Sequence, residues 1–182
     1  LEHVSRVVPD GLDIRLDDRL QPALPFFVDP DVPEMLGFAT LSGDVGATLR
    51  RPDGLVMTRD LVRRLWGDVP PAQVIGRRIE ARGSARPKDF LYFTVGAVVA
   101  DVDPRNPVGF RSPFIGAASV FLGFGSQAAM PGFADPTIDD VGMILAQIPA
   151  GVSDTDIAER ARQAFERSAM YAKLPPELKT GR

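Results

Sequence analysis

Residues 93–102 limit the fold of this chain more than any other segment. They carry no charge before Asp101 and are rich in β-branched valine, at Val95, Val98, Val99 and Val102. A near-continuous apolar strand of this kind belongs inside a sheet, covered by other layers. Strand-like and helix-like segments alternate around it, with no internal repeat and no low-complexity tract, which predicts a mixed α+β domain. At 182 residues the chain makes one domain or two small lobes. A chain of that length buries roughly 70% of the surface its unfolded form exposes, so it needs no disulfide or metal to fold.

The other elements read as follows. Leu12–Leu16 alternates apolar and polar residues, the period of a half-exposed strand. Pro25–Val28 reads as a second, short strand. Residues 31–36 predict a turn or two of helix, with Asp31 as cap, Pro33 in the first turn and Gly37 ending it. Residues 54–57 form a short apolar strand. Thr58 then caps a helix running to about Trp66, and Gly67 stops it. In that helix Leu61 and Leu65, like Val62 and Trp66, lie four apart on one face, while Arg59, Arg63 and Arg64 fall largely outside it. Residues 75–81 resume a strand, 83–88 form a polar turn, and 141–148 form a further strand ended by Pro149-Ala150-Gly151. Ser153, with Asp156 three residues on, opens a helix by a capping box that uses Asp for Glu. Ile157, Ala161, Ala164, Phe165 and Ala169 form its apolar stripe. Pro175-Pro176 closes the ordered chain, and residues 177–182 are expected to fray.

The longest uncharged stretch lies between Arg111 and Asp135. Its length would suit a membrane-spanning helix. Pro113, Gly116, Gly123, Gly125, Ser126, Gln127, Pro131 and Gly132 interrupt it, and lipid offers no partner for the backbone groups such breaks free. A buried strand followed by a long apolar loop is the reading that remains. Leu1-Glu2-His3-Val4 lacks a basic region followed by an apolar run, so no signal peptide is read there. The chain is expected to be a soluble domain.

Little in the sequence carries chemistry. It has no Cys and one His, His3, which excludes thiol nucleophiles, disulfides and Cys/His zinc sites. A formal charge of -3 gives no field that draws phosphates, so nucleic acid is not an expected partner. Only Lys88, Lys173 and Lys179 of the 21 cationic residues are lysines, which reads as GC-rich codon usage. Residues 123–128, Gly-Phe-Gly-Ser-Gln-Ala, match G-x-G-x-x-A. Pro131 and Gly132 follow within a turn of where a phosphate-binding helix would open, so an apolar loop is expected instead. Asp29 with Asp31, and Asp101 with Asp103, form D-x-D pairs of the kind that hold divalent cations or act as acid and base. Each adjoins a proline, Pro30 or Pro104, at a strand end, where Asp makes turns. Asp139-Asp140 reads as a solvated pair. No G-x-S-x-G elbow accompanies His3. The arginines at 50–51, 63–64 and 77–78 are interleaved with acids and apolar residues, as on a solvated face, and Trp66 reads as core.

Six landmarks in order resemble one family. Val28-Asp29-Pro30-Asp31 with Leu36 is similar to its opening V-D-P-D-F-F…L, and Leu41-Ser42-Gly43-Asp44 to its L-x-G-D turn. Residues 47–49 with 53–58 resemble A-T-A-L…P-x-x-V-V-L-T, and Arg63-Arg64-Leu65-Trp66-Gly67-Asp68 resembles A-R-R-L-F-G-D. Val74-Ile75-Gly76-Arg77 is similar to P-I-G-K, and residues 93–102 to Y-T-V-V-G-V-V-A-D-V with one glycine displaced. The family is the MacB-like periplasmic core domain of FtsX/MacB-type ABC transporter permeases. The likeness covers residues 28 to about 103, and Pro149-Ala150-Gly151 loosely matches the closing β-α unit. Val62 and Trp66 depart from the family's small residue and Phe.

The resemblance implies a two-lobed domain: a porter-like α/β lobe from the chain ends and a β-rich lobe inserted between them. Residues 1–27 would be the remnant of the first porter-like half, 28–140 the inserted lobe with helix 58–66, 141–174 the closing β-α unit, and 175–182 a tail. The family's first β-α unit would precede residue 1. The implied function is that of an extracytoplasmic permease domain coupling ATP-driven motion to export or to a partner protein, with no enzyme site. No catalytic, cofactor or metal residue is assigned, and ATP would be used by a separate ATPase. The implied partners are transmembrane helices of its own permease, a cytoplasmic ABC ATPase, and a second permease copy or a periplasmic protein. The place is the periplasmic or extracellular side of a bacterial membrane. The expected contact residues lie in the apolar stretch: Phe114, Phe121, Phe124, Met130 and Phe133, with folding of that stretch into ordinary core as the alternative. A rival reading is a small-molecule or peptide binding module with its site between two lobes.

Overall fold

The structure is a computed structural model describing residues 4–83, 88–102, 111–112, 116–129, 143–147 and 151–167. The chain divides into two compact units, one of Ser5–Leu145 and one of Leu1–Val4 with Ala146–Arg182. In chain order the strands are β1 (Val4–Pro9), β2 (Leu12–Leu16), β3 (Arg19–Ala23), β4 (Pro25–Val28), β5 (Thr40–Gly43), β6 (Gly54–Thr58), β7 (Arg78–Gly83), β8 (Leu91–Val99), β9 (Arg111–Ser112), β10 (Gly116–Ala117), β11 (Val120–Gly123) and β12 (Met143–Ala146). The helices are α1 (Val32–Met35), α2 (Val45–Leu49), α3 (Arg59–Trp66) and α4 (Asp154–Glu166). Among the described residues the main sheet runs β12-β1-β4-β11-β6-β8-β7-β2-β3, with β5 added beside β8. β4 is parallel to β11 and β6 is parallel to β8. β9 and β10 form a separate antiparallel pair.

The predicted buried strand is β8, and it organises the sheet. β6 lies along one side of it. On the other side β7 pairs with its first half and β5 with its last residues. Its pairing with β6 slips by one residue opposite Leu55 and Val56. The extra residue is Gly96, and the slip puts Val95 and Val98 on one face with Ala97 and Val99 on the other. A Cβ at Gly96 would run into the Thr48 side chain of α2, so only glycine lets that helix sit so close.

The middle strands β4, β11 and β6, and β8 over Ala97–Val99, are buried on both faces. One face packs against Leu61, Val62 and Leu65 of α3, as their spacing predicts. The other packs against Val32 of α1 and Val45 and Leu49 of α2. Thr58 caps α3 through Leu61 N–H at 3.4 Å, and Gly67 ends it at φ +76°. Asp31 precedes α1 as expected, but its side chain makes no cap bond.

Some expectations need correction. The strand expected over 75–81 begins only at Arg78, because the chain turns at Gly76, φ +84°. β1, β3, β5, β9, β10 and α2 are additional to the sequence reading, β5 taking most of the expected turn at 41–44. Residues 27 and 28, where the inserted lobe is expected to begin, both lie in β4, which pairs with β1 and β11. In the other unit α4 opens as expected, with Asp156 N–H donating to Ser153 Oγ at 3.1 Å. Arg162 bridges Glu159 and Glu166 along its surface.

Candidate functional site

Phe121 lies in β11, fully buried, with its ring 5.1 Å from that of Phe38. This corrects its assignment as a contact residue: β11 sits between β4 and β6, so both of its faces are core. The alternative reading of the apolar stretch, ordinary core, therefore holds for Val120–Gly123. Phe124 is half-buried beside Phe27, ring centroids 6.4 Å apart. Phe114, Met130 and Phe133 lie outside the described residues, as do His3, Asp103, Asp139 and Asp140. No helix opens within residues 124–129, which are turns and bends. A Cβ at Gly123 would fall on the Leu49 carbonyl oxygen, so this glycine serves helix packing rather than a pyrophosphate.

The acids serve structure. Asp29 accepts from Arg6 three times, from the backbone N–H at 2.8 Å, from Nε at 3.1 Å and from Nη2 at 2.8 Å. These bonds hold the Arg6 guanidinium above its usual pKa. The guanidinium also lies 4.1 Å over the Phe124 ring. Asp101 reaches the start of α3 and accepts from Asp60 N–H at 2.6 Å, supplying charge where helix N–H groups are unpaired. Asp53 takes both Arg51 and the Thr94 hydroxyl, which hold its carboxyl below the usual range, the Arg51 bonds most strongly. Among the described residues no group of three or more acidic or histidine side chains is placed to hold a metal ion.

Polar and aromatic groups also converge on the outer face of β7, β2 and the start of β8, which the sequence reading did not single out. Arg15 pairs with Glu80 at 2.8 Å, and Arg82 with Asp13 at 3.1 Å. Arg78 stacks on the exposed Tyr92, 4.8 Å to the ring centre, and Arg77 on Trp66 at 5.1 Å. Phe90 takes both Arg15 and Arg82. A hydrogen bond with Glu80 raises the Tyr92 pKa. Of these, Arg15, Trp66, Arg78, Glu80 and Tyr92 line an open groove of about 420 Å³. Within it Arg15 is paired with Glu80, and Arg78 lies over Tyr92. The signal was available as alternating charge in Arg78, Glu80 and Arg82.

The fold is shared with two solved domains, one of them from MacB, the family that the sequence resembles. A domain of a protein described as a permease, from Porphyromonas gingivalis, superposes with a TM-score of 0.62 at 19% identity, over 92% of this chain and 64% of that one. The periplasmic region of MacB from Actinobacillus actinomycetemcomitans gives 0.61 at 11% identity, over 91% of this chain and 66% of that one. This chain thus spans just under two thirds of each. No protein-family model matches it, and no curated protein does. Among the described residues no helix is long and apolar enough to cross a membrane.

Proposed function

We propose that this chain is the extracytoplasmic domain of an ABC transporter permease subunit, relaying motion generated by ATP hydrolysis to an exported substrate or to a partner protein. The observation that supports this most strongly is the shared fold with two permease-type domains over more than nine tenths of the chain. In this reading transmembrane helices outside the given sequence anchor it, and a cytoplasmic ABC ATPase, which alone uses ATP, drives it. A second permease copy or a periplasmic protein receives the motion. The site residues fit a relay, because carboxylates spent on ion pairs and helix caps stiffen a body without doing chemistry.

The test is deletion of residues 5–145, the larger compact unit, from the full-length gene product reconstituted with its ATPase in liposomes. The expected result is membrane insertion and ATP hydrolysis retained, with transport lost. Transport at the undeleted rate would refute the proposal.

A further inference from the structure

Three strand ends meet at one level of the sheet. In the β1/β4 pairing Val7 faces Val28, and Arg6 and Asp29 continue that antiparallel register by one step. In the β4/β11 pairing Val28 faces Gly123, so Phe124 continues the parallel register beside Asp29. Arg6, Asp29 and Phe124 thus form a single rung across three adjacent strands, just past the last residues of β4 and β11.

One side chain closes this rung. The Arg6 fork grips both carboxylate oxygens of Asp29, and Asp29 N–H donates back to Arg6 carbonyl oxygen at 3.2 Å. The same guanidinium covers the Phe124 ring. The Arg6 and Asp29 side chains are only 37% and 24% exposed, so the bidentate pair is better shielded from water than an ordinary surface ion pair. The chain passes from one compact unit to the other within β1, between Val4 and Ser5, directly beside Arg6. On the far side, residues 124–129 hold to the rest of the unit by Gln127 N–H and Ser126 Oγ to Pro52 carbonyl oxygen, by Gln127 Nε2 to Tyr92 carbonyl oxygen, by the buried Ala128 and by the Phe124 ring beside Phe27.

We propose that Arg6 is a clasp that makes the first strand and the segment 124–129 open and close as one unit, so that a displacement entering at Ser5 is passed through the guanidinium to Phe124. This coupling belongs to the chain itself and stands apart from the transport reading. A contact carries such coupling only when its loss releases both sides together.

Hydrogen exchange by mass spectrometry on the 182-residue chain tests it, with Arg6→Ala and Phe124→Leu. Arg6→Ala is expected to speed exchange about tenfold in both residues 5–9 and 123–129, with β2 and β3 unchanged. Phe124→Leu, which keeps the ion pair, is expected to speed both segments by a smaller factor, and the double variant to add little beyond Arg6→Ala. Faster exchange in residues 5–9 alone would overturn the clasp, as would purely additive effects in the double variant. If Arg6→Ala unfolds the chain, Asp29→Asn decides in the same way, since it removes the charge and keeps the shape.

Discussion

The strands β4, β11 and β6 with the second half of β8, and the strands β7, β2 and β3 with Phe90 and the start of β8 at Tyr92, belong to one sheet but are held by different physics. In the first group successive residues pack against helices on alternate faces, as with Leu55, Val56 and Met57, all fully buried. In the second, one face packs inward through Ile14, Ile79 and Ala81, and the other carries paired charges and aromatic rings in water. Stability therefore concentrates in the centre, while the wing offers surface.

The largest test of that contrast is Phe121→Ala against Tyr92→Ala. Truncating the buried ring is expected to cost about 3–5 kcal/mol, and the exposed one less than about 1 kcal/mol, read from urea unfolding midpoints. Similar costs at the two positions would break the comparison. Next come two glycines of the same motif. Gly123→Ala meets the Leu49 carbonyl and is expected to cost about 1–3 kcal/mol, whereas Gly125, with open space around it, should accept Ala within about 0.5 kcal/mol. The wing itself is measured by a double-mutant cycle on Arg15 and Glu80, expected to give about 0.2–1 kcal/mol and to shrink with added salt.

The smallest effect is the acid limb of stability. Asp53 links the start of β6 to Thr94 of β8, and its pKa is lowered by its bonds to Arg51 and Thr94. A depressed carboxylate adds stability that is present above the ordinary carboxylate range near pH 4 and is lost as pH falls through the lowered value. Asp53→Asn should therefore flatten the decline of stability below about pH 4; an unchanged acid limb would remove Asp53 from the account.

The centre was easier to read in the sequence than the wing's rim. β8 announces itself as an apolar run, and α3 by Thr58, Gly67 and its four-residue spacing. β3 carries Gln21 and Pro22 and shows no alternation; over the centre the exception is α2, one short turn holding Gly46, with Asp44 as its sole signal. The same double burial that makes the centre legible hides which aromatic faces out. Alternation is lost there, so Phe121 and Phe124 look alike in sequence although one is core and the other sits at the rim. The Arg6–Asp29–Phe124 rung depends on register between strands far apart in the chain, which no local pattern records.

In the proposed function this domain stands outside the cytoplasm on a membrane anchor. Fractionation of the full-length gene product, followed by protease added to intact spheroplasts, tests it most directly. The account predicts that the protein pellets with membranes and that this domain is cut from outside. Recovery in the soluble cytoplasmic fraction, protected until the cells are lysed, would contradict it.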